Sequence, residues 1–239
     1  MNAWELYDKV IAGVPTDDTV RECLQGTNWM CIVTERGRYG LNAVQPGTAV
    51  DPRKVVGRPL REVAALAKSW CFNEAAAGIA AINAARNQTE FFRPEGEQDA
   101  FLRYRDRLLG KKVACVGHFA YLERRLEGLC DLFVLERKPE GNDYPDTACE
   151  YLLPEMDAVF ITGSAFANKT MPRLLKLCEN AFTVISGPST PMDPVLFGYG
   201  ADALCGFCVT DDEKMRAALN GDGPVFACGQ MVCLERKEV

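Results

Sequence analysis

The stretch "KKVACVGHFAYLERRLEGLCDLFVLERK", residues 111–138, decides the fold. Its first apolar run, KVACVG, breaks at Gly117. Residues 119–128 suit a helix, and a second apolar run, DLFVLER, follows. Three further runs, DAVFITG, FTVISGP and ALCGFCV, continue the alternation, with another helix-compatible segment at 169–180. Short apolar runs without polar alternation suit strands covered by helices on both faces. The α/β expectation for residues 96–239 is therefore a Rossmann-like, doubly wound parallel sheet.

Upstream, the charged and irregular stretch 88–112, with Pro94 and Gly96, marks a domain boundary between residues 90 and 100, leaving residues 1–95 as a separate unit. There Trp4, Tyr7, Val10 and Ile11 recur at helical spacing, which predicts a helix with one buried face. Three β-prone runs separated by QGTN and ERGR predict an antiparallel meander. Residues 59–69 and 73–87 predict two alanine-rich helices, the second capped by Asn73. Strands followed by helices make this an α+β domain.

Composition narrows the partners. The chain of 239 residues carries 33 acidic against 27 basic residues, a formal charge of -6, so no broad basic surface offers itself to nucleic acid. No apolar run approaches the roughly 20 residues of a membrane span, and MNAWELYDKV has no signal core, so no membrane association and a cytoplasmic location are expected. Eleven cysteines lie singly in apolar segments, a pattern of buried thiols rather than of a disulfide framework. Cys205 and Cys208, like Cys228 and Cys233, are an odd number of residues apart in strand-like segments. Their sulfurs should point to opposite faces and not gather around zinc.

In an open α/β sheet, ligands gather beyond the carboxyl ends of the strands. The first strand ends at Gly117, which presents His118, the only histidine. The turn GHFAYL lacks the G-x-G-x-x-G fingerprint, which argues against ordinary NAD or FAD binding, and the sequence names no other cofactor. The second strand ends at Glu136, where an acidic residue can meet a ribose or similar diol, although a solvated strand exit reads the same way. The third carries Thr162, Gly163 and Ser164, with Asn168 and Thr170 ahead of a helix that one of them should cap. The fourth carries Gly187, Pro188, Ser189 and Thr190, a stiff polar loop that would lose little entropy around a ligand. No acidic partner for His118 is identifiable, and no serine sits in a nucleophile elbow.

In this order and spacing, GIAAINAARN, VGHF, LERKPEGND, LLPEMDAVFITGSAFANKT and GPSTP resemble the putative heavy-metal chelation family of prokaryotic proteins, over nearly the whole chain. The resemblance implies an enolase N-terminal-like domain before the Rossmann-like one, with a site in the cleft between them. It implicates Asn83, His118, Phe119, Glu136, Thr162 to Ser164, Asn168, Thr170 and Gly187 to Thr190. Two positions depart from the family pattern: Ala120 replaces a frequent proline and Lys169 a frequent glycine, which could add a charge at the cleft mouth. Three functions remain open. One is an enzyme that condenses, hydrolyses or otherwise processes a pterin-, flavin- or metallophore-like compound, with His118 as general acid or base and Glu136 beside it. A second is a non-catalytic protein that binds a metal or metal chelate through His118 and Glu136. The third is a methyltransferase-like enzyme with Glu136 on the ribose of S-adenosylmethionine. Homo-oligomerisation is left open.

Overall fold

Burial of one stripe of the first helix, α1 (Ala3–Ala12), follows the spacing of its apolar residues: Leu6, Tyr7 and Val10 are buried, with Trp4 and Ile11 partly so. The computed structural model describes residues 2–92, 95–119 and 125–237. Strands β1 (Val20–Gln25), β2 (Trp29–Thr34) and β3 (Tyr39–Ala43) pair antiparallel as the meander that the turn residues predict. Helix α2 (Leu60–Ala64) and helix α3 (Phe72–Arg86) pack behind it. Asn73 and every residue of α3 from Ala75 to Ala85 are buried, which fits a helix of small side chains enclosed on all sides. Close approach is why the residues are small: a Cβ on Gly40 would strike the carbonyl oxygen of Ala80 and the backbone nitrogen of Ala84.

Asn73 does not cap α3. The N-cap is Cys71, without a side-chain hydrogen bond. Asn73 instead accepts from the Gln45 N–H at 2.9 Å and donates to the carbonyls of Gln45 at 2.8 Å and Thr48 at 3.1 Å. The loop after β3 is partly buried there, and its backbone groups need partners more than the helix end does.

Short helices α4 (Ala100–Arg103) and α5 (Arg105–Leu108) lead into the second sheet. It is built from β4 (Lys112–Val116), β5 (Asp131–Glu136), β6 (Tyr144–Pro145), β7 (Ala158–Thr162), β8 (Phe182–Ser186), β9 (Ala203–Val209) and β10 (Gly229–Glu235). Helices α6 (Cys149–Leu152), α7 (Met171–Leu177) and α8 (Asp212–Asn220) lie between strands. The order is β10-β9-β8-β7-β4-β5-β6, all parallel except β10. The chain builds outward from β4 to β5 and β6, then returns to lay β7, β8 and β9 on the other side. The strand order therefore switches between β4 and β7. One apolar core runs through both halves: Leu6, Ile79 and Ile82 share a cluster with Ile161, Phe166 and Leu174, and the Tyr7 hydroxyl donates to the Phe166 carbonyl at 2.7 Å.

The cysteines correct one expectation. Antiparallel pairing of β9 with β10 sets Cys205 directly opposite Cys233, with Cα atoms 4.2 Å apart, and the two form a disulfide. Their 28-residue separation hid this register. Cys208 packs with Leu204 and Val232, whereas Cys205 packs with Phe160 and Val184 in a different cluster, so the strand carries these two sulfurs on opposite faces.

Candidate interdomain site

Three strand ends meet at the switch point. β4 stops at Gly117, whose φ of +101° and position against Thr162 both require glycine; a Cβ would lie 2.8 Å from Thr162 Cγ2. β5 stops at Glu136, which braces the exit of both strands: Oε1 accepts from the His118 N–H at 2.7 Å and Oε2 from the Arg137 N–H at 2.9 Å. β7 stops at Thr162, which caps the following 3-10 turn, and its Oγ1 lies 3.0 Å from Ser164 Oγ in a shared hydrogen bond.

Beyond these ends lies a cavity of about 330 Å³. Gly117, Glu136, Thr162, Ser164, Asn168 and Thr170 line it from the large sheet, and Gln45 and Pro46 from the loop after β3. Arg137, Lys138 and Arg173 add positive charge to the wall, against Asp146 and Glu136. Arg173 already pairs with Glu150 at 3.1 Å.

Neither Asn168 nor Thr170 caps α7 as expected. Thr170 occupies the N-cap position without a capping bond, and its hydroxyl is turned back to donate to Asn168 Oδ1 at 2.6 Å. The same oxygen accepts the Thr170 N–H at 3.1 Å, so the pair forms a closed local turn facing the cavity.

The remaining residues of the expected set lie elsewhere. His118 is exposed at the rim, one residue beyond the wall, and its Nδ1 stands 3.8 Å from Asp143 Oδ2. That carboxylate is the acidic partner that could not be identified from the chain order. Asn83 is wholly enclosed, donating to the Leu41 carbonyl at 2.8 Å, and is not part of the cavity wall. Gly163, Pro188, Ser189 and Thr190 are buried, and Ser189 and Thr190 face the N-terminal half. Ser189 Oγ accepts from the Ala43 N–H at 2.9 Å. Phe119 and Gly187 line a different hollow of about 300 Å³, where Phe119 packs edge-on to Phe101 at 5.3 Å. Ala120 lies outside the described residues.

Gln45, Arg137 and Asp143 escaped the sequence reading. Gln45 precedes a Pro-Gly turn signal, and Arg137 follows a strand end, but nothing local distinguishes Asp143 from a solvated loop carboxylate.

The residues do not fit a bare metal ion. Among the described residues, no three His, Cys, Asp or Glu side chains come together as a cage. The thiol in the wall, Cys149, is pushed up to about 11 by burial, so it is not a ready thiolate donor.

Fold and cavity together define a two-part α/β protein with a pocket at the switch point of a doubly wound sheet. Two family models, each described as "Putative heavy-metal chelation", match residues 7–86 and 99–232, and the chain belongs to that family. A protein of unknown function from Desulfitobacterium hafniense in the same family has a crystal structure with a TM-score of 0.90. It is 38% identical, with 98% of this chain and 99% of that one covered. A Pyrococcus horikoshii relative of unknown function, 21% identical over 99% and 100% of the two chains, shares the fold with a TM-score of 0.82. An uncharacterised protein of Methanocaldococcus jannaschii is 34% identical over 167 residues, 66% of this chain and 64% of that protein. No helix among the described residues is long and apolar enough to cross a membrane.

Proposed function

We propose that this protein binds a small polar organic molecule, free or as a metal chelate, in the cavity between its halves, which divide near residue 95. The supporting observation is the wall itself: Gln45 and Pro46 from the N-terminal half face strand-end residues Glu136, Thr162 and Ser164 across the switch point. A volume of about 330 Å³ suits a compact metabolite, with Ser164 and Gln45 available for hydrogen bonds and Arg137 and Lys138 for negative charge. Any metal would enter already held by its own chelator, because the described residues supply too few donors to cage it.

His118 and Asp143 favour a second reading, acid–base chemistry on the bound molecule. A carboxylate stands 3.8 Å from Nδ1, beyond hydrogen-bond distance but within ion-pairing distance of a protonated ring, and the ring is exposed to exchange a proton at the rim.

Native mass spectrometry of freshly purified protein tests the binding reading. Wild-type protein should retain a small-molecule mass that Ser164→Leu, which fills the cavity, does not. Equal retention by a normally folded variant would move the site elsewhere.

A further inference from the structure

Side chains alternate along β8: Val184 packs with Phe101 and Phe160, Ile185 joins the core that the two halves share, and Ser186 returns to the side of Val184. There it lines the hollow of about 300 Å³ with Phe119 and Gly187. Ser186 is also the register partner of Thr162, which lines the interdomain cavity. Val116 and Leu135 of that cavity belong to one core cluster, and Phe101 of this hollow to the other. Two separate spaces therefore flank the sheet at the end of its strands where ligands gather.

The wall is apolar and aromatic. Phe101, Phe119 and Phe226 supply rings and Met231 a thioether, and Phe226 stays half exposed there. The two charges of the wall are spent on each other: Arg125 and Asp99 pair at 2.7 Å, and Asp99 also accepts from the Phe101 N–H at the start of α4. Nothing is left over to hold a charged guest. Ser186 is 4% exposed, and among the described residues its hydroxyl has no hydrogen-bond partner. An enclosed hydroxyl in that state is destabilising, and an alanine would fill this face of β8 without the cost. The space in front of Gly187 is open, since a Cβ there would meet only Phe119 Cε1, at 4.0 Å. Rings around a narrow apolar space favour a further ring through edge and face contacts. We propose that this hollow is a second binding site, which takes an uncharged, flat aromatic ring and hydrogen-bonds a polar atom of that ring with Ser186 Oγ. Its volume suits one ring or two fused rings. The site does not depend on what the interdomain cavity binds.

Quinoline, uncharged at neutral pH and carrying one ring nitrogen, is the probe, titrated into the isotope-labelled full chain and followed by amide NMR shifts. It should bind at about 1 mM, the range of a ten-atom fragment. Saturable shifts should appear at Phe101, Gly187 and Met231, and not at Gly117 or Ser164. Ser186→Ala should keep the same shift pattern and weaken binding about three- to tenfold. Ser186→Leu, which fills the hollow, should abolish binding, whereas Ser164→Leu in the other cavity should match wild type within about twofold. Thermal melting checks that each variant folds, and if Ser186→Leu does not, Ser186→Ala and the shift pattern decide. No saturable shift around the hollow, shifts centred on Gly117 and Ser164, or undiminished affinity in Ser186→Ala overturns the proposal.

Discussion

Asn87 offers the sharpest test of how the halves are joined. It is 1% exposed at the C-terminal end of α3, and both ends of its amide reach into the second half. Nδ2 donates to the Thr190 carbonyl at 2.9 Å, and Oδ1 accepts from the Met192 N–H at 3.0 Å. A third approach, to the Phe207 carbonyl at 3.4 Å, is too long to contribute much. Asn87→Ala strands one buried N–H and one buried carbonyl, at about 1–3 kcal/mol each, so the loss should be about 2–6 kcal/mol. Against a total stability of about 5–15 kcal/mol this is large. With a urea m-value of about 3 kcal/mol/M, the midpoint should fall by about 1 M. Asn87→Asp should cost more, since it turns a carboxylate oxygen toward the Thr190 carbonyl. Asn83→Ala is the control. Asn83 makes one bond, to Leu41, and its Oδ1 already has no partner, so its loss should be about 1–2 kcal/mol. Equilibrium urea unfolding of the three variants measures the order. A midpoint for Asn87→Ala within about 0.2 M of wild type, or a larger loss at Asn83, would refute the claim that Asn87 holds the halves together.

Three further outcomes follow from the same geometry. Gly163→Ala would press a Cβ against the Thr190 nitrogen and to 2.5 Å from the Ser189 carbonyl carbon, so it should cost about 1–3 kcal/mol by thermal melting and reduce ligand retention. Lys169 binds its proton more weakly folded, near 8, than the ordinary 10.5, so between those values the unfolded chain holds more protons and wild-type stability rises with pH. Lys169→Met should lack that rise, and parallel pH–stability curves would contradict the lowered affinity. Cys233→Ser opens a 28-residue loop and should lose roughly 3.5 kcal/mol in oxidising buffer, with the difference from wild type vanishing under dithiothreitol.

The fold was legible because its signals are local. The runs KVACVG and DAVFITG announce buried strands by their unbroken apolar character, and QGTN and ERGR announce the meander's turns, without reference to anything distant. Gly117, Glu136, Thr162 and Ser164 were legible for a related reason: a residue that ends a strand in a doubly wound sheet is carried to the same edge whatever its neighbours do. Side-chain allegiance is a different matter. Asn73 and Asn83 lie in the same buried helix, and the helical pattern cannot say that one satisfies the backbone of a loop 28 residues away while the other bonds Leu41. Cys205 and Cys233 meet only through the β9–β10 register. Asp143 becomes a partner of His118 only when the segment after β5 folds back beside the end of β4. Each of these misses is a pairing between residues far apart in the chain, whose geometry depends on the packing that brings their elements together. The seam shows the consequence. Ser189 and Thr190 looked like ligand-binding residues because they are polar and rigidly presented, yet Ser189 Oγ accepts from Ala43 and the Thr190 carbonyl accepts from Asn87, across the joint. A polar loop at a strand end serves whichever group is buried against it, and here that group is the other half of the protein.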